Sequence, residues 1–312
     1  MKKKITVIGE GAWGTALATL FARNGYTVTL WCYHAEIAHE INTAHTNTRY
    51  LPDFTLPDML VATASVTEAV HDADYLCEAV PVQYLRSVMM LFYNHLDTDM
   101  RWIITSKGIE QETLLLPASV VSDMLGYEPQ YAVAVGPSFA RDVMQEEKTG
   151  LVVAATHDTL RAEIMQLFTN NYMSCVPGAD THGAQLCAAF KNVVALLVGI
   201  SDGKGNGDNT RALLVTHCFQ AMAELVQKSG GSLETVLGLA GIGDLFLTAA
   251  STQSRNYLVG KALGEGESLQ SIIERTGFTP EGVNTLYSIR SYAQRYGITL
   301  DALIGEDNLH FF

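Results

Sequence analysis

The N-terminal segment ITVIGEGAWGTALATLFARNGYTVTLW restricts the fold of this chain more than any other. An apolar, β-branched run at Ile5–Ile8 meets Gly9-x-Gly11-x-x-Gly14, then a helical stretch, then a second β-branched run at Thr27–Trp31. In such a unit Gly9 makes a tight turn, Gly11 lets the backbone approach a pyrophosphate, and Gly14 lets helix and strand pack closely. The start of the helix then faces the anion. A tight turn that binds nothing is the alternative, and the strand and helix on either side favour the dinucleotide site.

Further short runs, Tyr75–Ala79, Trp102–Thr105, Tyr131–Val135 and Leu151–Ala155, alternate with helical stretches. This alternation predicts a parallel sheet covered on both faces. From about Thr181 the strands stop, and apolar periodicity predicts helices over 183–200, 210–228, 232–239, 255–263, 268–275 and 281–296. Glycines at 199–207, 230–231, 241–243 and 264–266 read as caps and joints. The expected architecture is α/β plus all-α: an N-terminal Rossmann-type doubly wound sheet (1–180) that binds a dinucleotide, then a C-terminal helical domain (181–312) for substrate and catalysis.

The chain has 312 residues, 48% of them hydrophobic, enough for two buried cores. Its 33 acidic residues outweigh 20 Lys and Arg, giving a net charge of −13, and no basic run follows Lys2–Lys4. A nucleic-acid partner is therefore not expected, whereas a pocket can still gather a few cations around a small phosphorylated ligand. Cys32, Cys77, Cys175, Cys187 and Cys218 are scattered without metal spacing, which argues against a metal site or disulfide framework and for a reducing cytoplasm. The three early lysines imitate a secretory signal, but Glu10 falls in the stretch that would have to be apolar. The run 186–200 is broken by Lys191 and too short for a bilayer, so no membrane insertion is expected.

Candidate chemistry follows from position. The second strand ends Trp31-Cys32-Tyr33-His34, without the acid that would bind a ribose hydroxyl or the Arg that would bind a 2′-phosphate. NAD and NADP stay open at this point. His34, or more distantly Arg49, offers weak attraction for a phosphate, so tolerance of both with NADPH modestly ahead is expected. Lys107 ends a strand, and Gly136 and Ser138 follow another, with Ser138 able to cap the next helix or hold a substrate oxygen. Lys191 sits in a helix apolar all round, where burial should lower its pKa into the range of a proton-transfer catalyst; snorkelling or pairing with a buried carboxylate are the alternatives. Asp244 follows a glycine turn, and Ser254, Arg255 and Asn256 open a helix with a hydroxyl, a guanidinium and an amide suited to a phosphate or polyol.

With these residues in view, the chain resembles the bacterial NAD(P)-dependent sn-glycerol-3-phosphate dehydrogenase family over nearly its whole length. The shared motifs are GEGAWGTALA (9–18), NTRYLPDFTLP (47–57), SKGIE (106–110), GPSFA (136–140), AAFKNVVALLVGISDGKGNGDNTRALL (188–214), AGIGDLFLT (240–248) and SRNYLVGKALGEG (254–266). The resemblance implies reversible reduction of dihydroxyacetone phosphate for glycerophospholipid synthesis by a cytoplasmic homodimer. It implies that Lys191 is the general acid/base and that Lys107, Gly136, Ser138, Lys191, Asp244, Ser254, Arg255 and Asn256 bind substrate. It also implies that Gly9, Gly11, Ala12, Trp13, Gly14, Tyr33, His34, Tyr50, Lys107, Ala140, Arg255, Thr279 and Glu281 hold the cofactor.

The chain departs from the family where EAVPV (78–82) replaces VAVPS, setting Glu78 at a normally apolar strand end and Val82 in place of a hydroxyl. Thr216-His217-Cys218 stands where TRG is common, and the tail after Gly297 is short. Two rival readings remain at this level: another two-domain keto-acid reductase, such as a ketopantoate reductase-like protein, and a non-catalytic dinucleotide-binding relative.

Overall fold

The computed structural model describes residues 3–249, 251–277 and 280–300. The chain forms two compact units, one from Met1–Ser106 and Pro117–Thr181, the other from Lys107–Leu116 and His182–Phe312. The short segment 107–116 thus leaves the first unit and joins the second, which a continuous division near residue 180 does not anticipate.

The first unit is an eight-stranded sheet: β1 (Lys4–Ile8), β2 (Thr27–Trp31), β3 (Val61–Thr63), β4 (Tyr75–Glu78), β5 (Arg101–Ile104), β6 (Tyr131–Val135), β7 (Thr149–Ala154) and β8 (Met173–Gly178). Spatial order is β3-β2-β1-β4-β5-β6-β7-β8. The order reverses between β1 and β4, and in open α/β sheets ligands bind outside the carboxyl ends of strands at that point. Helices α1 (Ala12–Arg23), α2 (Ala35–Ala44), α3 (Val66–Val70), α4 (Val82–Phe92), α5 (Pro117–Leu125), α6 (Ala140–Met144) and α7 (Asp158–Phe168) connect the strands. Ile5, Val7, Leu17, Phe21, Leu30, Val153 and Phe168 are at the centre of the core, all buried.

Three details depart from the sequence expectation. Strands β3 and β8 were not foreseen: β3 has three residues, and β8 carries Pro177, which is tolerated because β8 is an edge strand. Strand β7 runs antiparallel to β6.

Among its described residues the second unit is helical: α8 (Thr181–Gly203), α9 (Asp208–Lys228), α10 (Leu233–Leu237), a wide π-type turn Leu239–Gly243, α11 (Asp244–Thr248), α12 (Arg255–Gly264), α13 (Leu269–Thr276) and α14 (Glu281–Arg295). Helix α8 is long and apolar enough to cross a membrane, longer than the run 186–200 had suggested, and its most apolar stretch is wholly buried inside the protein. It carries the core through Leu186, Phe190, Val194 and Leu197, packed with Met222, Leu225, Leu286 and Ile289.

Gly199 is not a joint but lies inside α8, as Gly260 lies inside α12, while Gly203 and Gly264 are the last residues of the two helices. A Cβ on Gly199 would fall 2.2 Å from Tyr257 O, and one on Gly260 would fall 2.1 Å from Leu196 O. The two helices therefore cross with backbones touching, which brings the start of α12 against the middle of α8.

Candidate active site

In the first unit, Gly9 follows β1 with φ +117°, and its N–H donates to Trp31 O at 3.0 Å. A Cβ on Gly14 would fall 1.9 Å from Gly9 O, so only glycine lets α1 start this close to the strand. A Cβ on Gly11 would meet nothing within 4 Å. Gly11 is also the N-cap of α1, and no side chain caps the first turn formed by Ala12, Trp13 and Gly14. The Trp13 indole N–H is a buried donor without a partner among the described residues. An open turn, an uncapped twelve-residue helix and an unsatisfied donor fit a pyrophosphate-bearing dinucleotide.

Glu10, between the first two glycines, is 5% exposed and reaches the end of β2. Its Oε2 accepts from the Tyr33 N–H at 2.7 Å, and its Oε1 lies 2.6 Å from His34 Nδ1. The Asn47 amide donates to Glu10 O at 2.8 Å and to Thr15 Oγ1 at 2.9 Å, which fastens the 47–50 segment over the turn. Arg49 lies over the Tyr50 ring, 5.3 Å from its centre. Tyr33, His34 and Tyr50 thus gather around the glycine turn, with the exposed Tyr33 ring at its edge.

Gly136 follows β6 with φ +149°, where a Cβ would fall 3.0 Å from Gly150 O. Ser138 donates to Gly136 O at 3.1 Å, and Phe139 is the N-cap of α6. The capping role expected of Ser138 is therefore corrected, because its hydroxyl turns back to the preceding loop. Ala140 packs on the same core as Ala12 and Trp13.

At the end of β4, in register with Ile8, Glu78 is wholly buried. Its Oε1 accepts from the Thr105 and Ser106 N–H groups at 3.0 Å each, and its Oε2 meets Ser106 Oγ. Burial pushes its pKa up to about 7 against these hydrogen bonds. Ser106 Oγ also lies within hydrogen-bond reach of Val80 O. A hydroxyl has one hydrogen, so a proton on Glu78 Oε2 given to Ser106 Oγ, with the Ser106 hydroxyl donating to Val80 O, satisfies every group.

In the second unit, Lys191 of α8 and Asp244 meet in the core. Lys191 Nζ donates to Asp244 Oδ1 at 2.7 Å and to Thr248 Oγ1 at 3.2 Å, and the Thr248 hydroxyl donates to Asp244 Oδ1 at 3.2 Å. Lys107 Nζ reaches the other carboxylate oxygen at 3.2 Å. Two cations thus share one fully buried carboxylate, leaving a net positive charge. Among the described residues these acceptors use two of the three Lys191 N–H groups. Burial is the largest influence on Lys191 and lowers its pKa; Asp244 raises it and Lys107 lowers it again, leaving it at about 8. The π-type turn that delivers Asp244 depends on Gly241, whose Cβ would fall 2.0 Å from Val236 O.

Around this centre, Ser254 caps α12 by accepting from the Tyr257 N–H at 3.3 Å, Arg255 is exposed, and Asn256 Oδ1 accepts from the Gly282 N–H at 2.9 Å. Asn192, beside Lys191, donates to Glu281 Oε2 at 3.2 Å. Thr279 lies outside the described residues.

The sequence profile for the N-terminus of NAD-dependent glycerol-3-phosphate dehydrogenase matches residues 4–161, and the profile for its C-terminus matches 180–305. The chain belongs to the NAD-dependent glycerol-3-phosphate dehydrogenase family. It is 38% identical over 299 residues, 95% of this chain and 88% of the relative, to a glycerol-3-phosphate dehydrogenase (NAD(P)+) of Bacillus thuringiensis, and equally to one of Bacillus cereus. The crystal structure of glycerol-3-phosphate dehydrogenase from Coxiella burnetii superposes with a TM-score of 0.92 at 32% identity, covering 97% of this chain and 93% of that one. The Saccharomyces cerevisiae enzyme gives 0.83 at 27%, covering 100% and 96%. A ketopantoate reductase from Ralstonia eutropha, at 16% identity and a TM-score of 0.56 over 95% of this chain and 100% of that one, shares the fold alone.

Within this member of the glycerol-3-phosphate dehydrogenase family, the structure joins Lys107, Lys191 and Asp244, and separately Gly9–Gly14 with Tyr33, His34 and Tyr50. Sequence reasoning missed Thr248 and Glu10. Thr248 stands four residues after Asp244, one helical turn, a spacing that signals a shared face. Glu10 was visible as a charge inside the glycine turn, but nothing local showed that its carboxylate ends at β2.

Proposed function

We propose that the protein is an NAD(P)-dependent sn-glycerol-3-phosphate dehydrogenase that interconverts dihydroxyacetone phosphate and sn-glycerol 3-phosphate. The observation that carries this reading is the buried Lys191–Asp244–Lys107 group, an ammonium poised to exchange a proton beside a second fixed cation. The first unit acts as the dinucleotide-binding domain and the second as the helical substrate and catalytic domain.

Gly9, Gly11, Ala12, Trp13 and Gly14 hold the pyrophosphate side of the cofactor, and Tyr33, His34 and Tyr50 its adenosine end. Lys107, Ala140, Arg255 and Glu281, together with Thr279, complete its binding. The bound dinucleotide supplies a hydride to the ketone carbon, or takes one back from the alcohol. As the C=O electron pair moves onto oxygen, Lys191 Nζ gives that oxygen a proton, so an alkoxide never has to exist free in the core. One proton per turnover is drawn from solvent in this direction, and the reverse direction returns it.

Asp244 keeps Lys191 in place and helps retain its charge until transfer, while Thr248 fixes the direction of one N–H. Lys107, Gly136, Ser138, Ser254, Arg255 and Asn256 bind the phosphate and hydroxyls. The reading extends to a cytoplasmic homodimer that feeds glycerophospholipid synthesis. Mixing the purified protein with dihydroxyacetone phosphate and NADH or NADPH, while following nicotinamide absorbance, tests it. Turnover that requires the phosphate, absent with dihydroxyacetone and 2-keto acids, is expected; no turnover with either cofactor would sink the reading.

A further inference from the structure

The second strand of a dinucleotide-binding unit ends where the adenosine ribose is read, and an acid there accepts from the 2′-hydroxyl whereas an Arg pairs with a 2′-phosphate. The run Trp31–His34 contains neither. Folding supplies what the run lacks. Gly9 N–H bonds to Trp31 O, so the residue after Gly9 emerges beside the end of β2. The Tyr33 N–H and His34 Nδ1 then hold the Glu10 carboxylate there from both sides.

An ionised carboxylate only accepts hydrogen bonds, so Nδ1 of His34 carries the hydrogen in this pair and is spent on the protein's own acid. The imidazole that sequence reasoning reserved for a 2′-phosphate is thereby engaged by a carboxylate. Arg49, the other candidate, lies over the face of Tyr50. Each Glu10 oxygen keeps a second lone pair for a ribose hydroxyl.

We propose that Glu10 is the residue that sets cofactor specificity, accepting from the ribose hydroxyls of NADH and repelling the 2′-phosphate of NADPH. The proposal rests on the dinucleotide reading of the first unit and reverses the modest NADPH preference expected from Trp31–His34 alone. Like charges brought together across a binding interface cost several kcal/mol, so NADH should be favoured by at least about tenfold.

The test compares kcat/KM for NADH and NADPH with dihydroxyacetone phosphate, and the dissociation constants of both reduced cofactors by calorimetry without substrate. The wild-type protein, Glu10→Gln and Glu10→Ala are compared, with a thermal melt to verify folding. Glutamine keeps an acceptor for the Tyr33 N–H and removes only the charge, so the NADH-to-NADPH ratio should fall by about tenfold or more. A wild-type preference for NADPH, or a ratio unchanged in Glu10→Gln, would overturn the proposal. Absence of turnover would sink the dehydrogenase reading while the ratio of dissociation constants still decides Glu10. Failure of both cofactors to bind would overturn the two together.

Discussion

Asp244 Oδ1 lies 2.7 Å from Lys191 Nζ inside a helical core, with the Asp244 side chain fully buried and Lys191 only 6% exposed. A lone lysine at this depth would lose its proton to escape the cost of burial, and a lysine held by a carboxylate alone would keep it firmly. Lys107, on the other oxygen of Asp244, weakens that hold. The three groups leave Lys191 able to give up a proton near neutrality and to take it back.

Replacing Lys191 with alanine should lower the rate of dihydroxyacetone phosphate reduction by at least about 100-fold, the usual lower scale of general acid catalysis. Cofactor affinity should stay nearly constant, since the amine acts on the substrate oxygen. In the wild-type protein the reductive rate should fall as pH rises through about 8, because only protonated Lys191 can donate, and the oxidative rate should rise through the same range. Steady-state rates in both directions across pH check this; a reductive rate flat through that range would count against Lys191 as the donor.

Asp244→Asn removes the charge that favours the Lys191 ammonium, so the reductive pH profile should move to lower pH. Leaving the buried Lys191 and the part-buried Lys107 without their carboxylate should also destabilise the fold by about 3–5 kcal/mol. Chemical denaturation and the pH profile of the same variant read the two effects separately. A profile that stays in place would mean that Asp244 does not control the proton on Lys191.

Glu78 should make the first unit more stable in mild acid than in mild base. Its carboxyl ionises at about 7 when folded against an ordinary 4.5, so the folded chain binds more protons between those values. Stability from this group is full below the lower value and falls as pH rises, by on the order of 3 kcal/mol, until it levels above the upper one. Glu78→Gln keeps an acceptor for Thr105 and Ser106 and an N–H for Ser106 Oγ without the titration. Its stability relative to the wild-type protein, measured by denaturation, should therefore rise between about pH 5 and about pH 8.

Gly260→Ala should destabilise the second unit by about 3 kcal/mol, at the upper end of overpacking costs, since its Cβ would overlap the backbone of α8 and not a side chain that can move aside. Activity should suffer with stability, because the same crossing carries Ser254, Arg255 and Asn256 toward Lys191. A melting temperature unchanged by the substitution would show that the helices can part without penalty.

The sequence by itself determined what depends on neighbours along the chain. β-Branched apolar runs mark strands buried on both faces, the spacing Gly9, Gly11, Gly14 marks a turn that side chains would block, and an apolar surround on every side of Lys191 marks its burial. The family motifs, read in order, determined membership. Only the tertiary structure decided which distant groups meet. Asp244 could be suspected as a partner of Lys191, but the attachment of Lys107 to its other oxygen follows from 107–116 packing with the second unit. Gly199, Gly203 and Gly264 read locally as caps and joints, and together with Gly260 they form a contact surface because α8 and α12 cross there. Strands β3 and β8 are too short or too polar to announce themselves, and exist because a sheet edge was available to pair with. Glu10 lies 21 residues before Trp31 in the chain, yet its carboxylate stands at the end of that strand. Periodicity reports whether a residue is buried, whereas the identity of its partner depends on which backbones pack together, and no local window of sequence contains that.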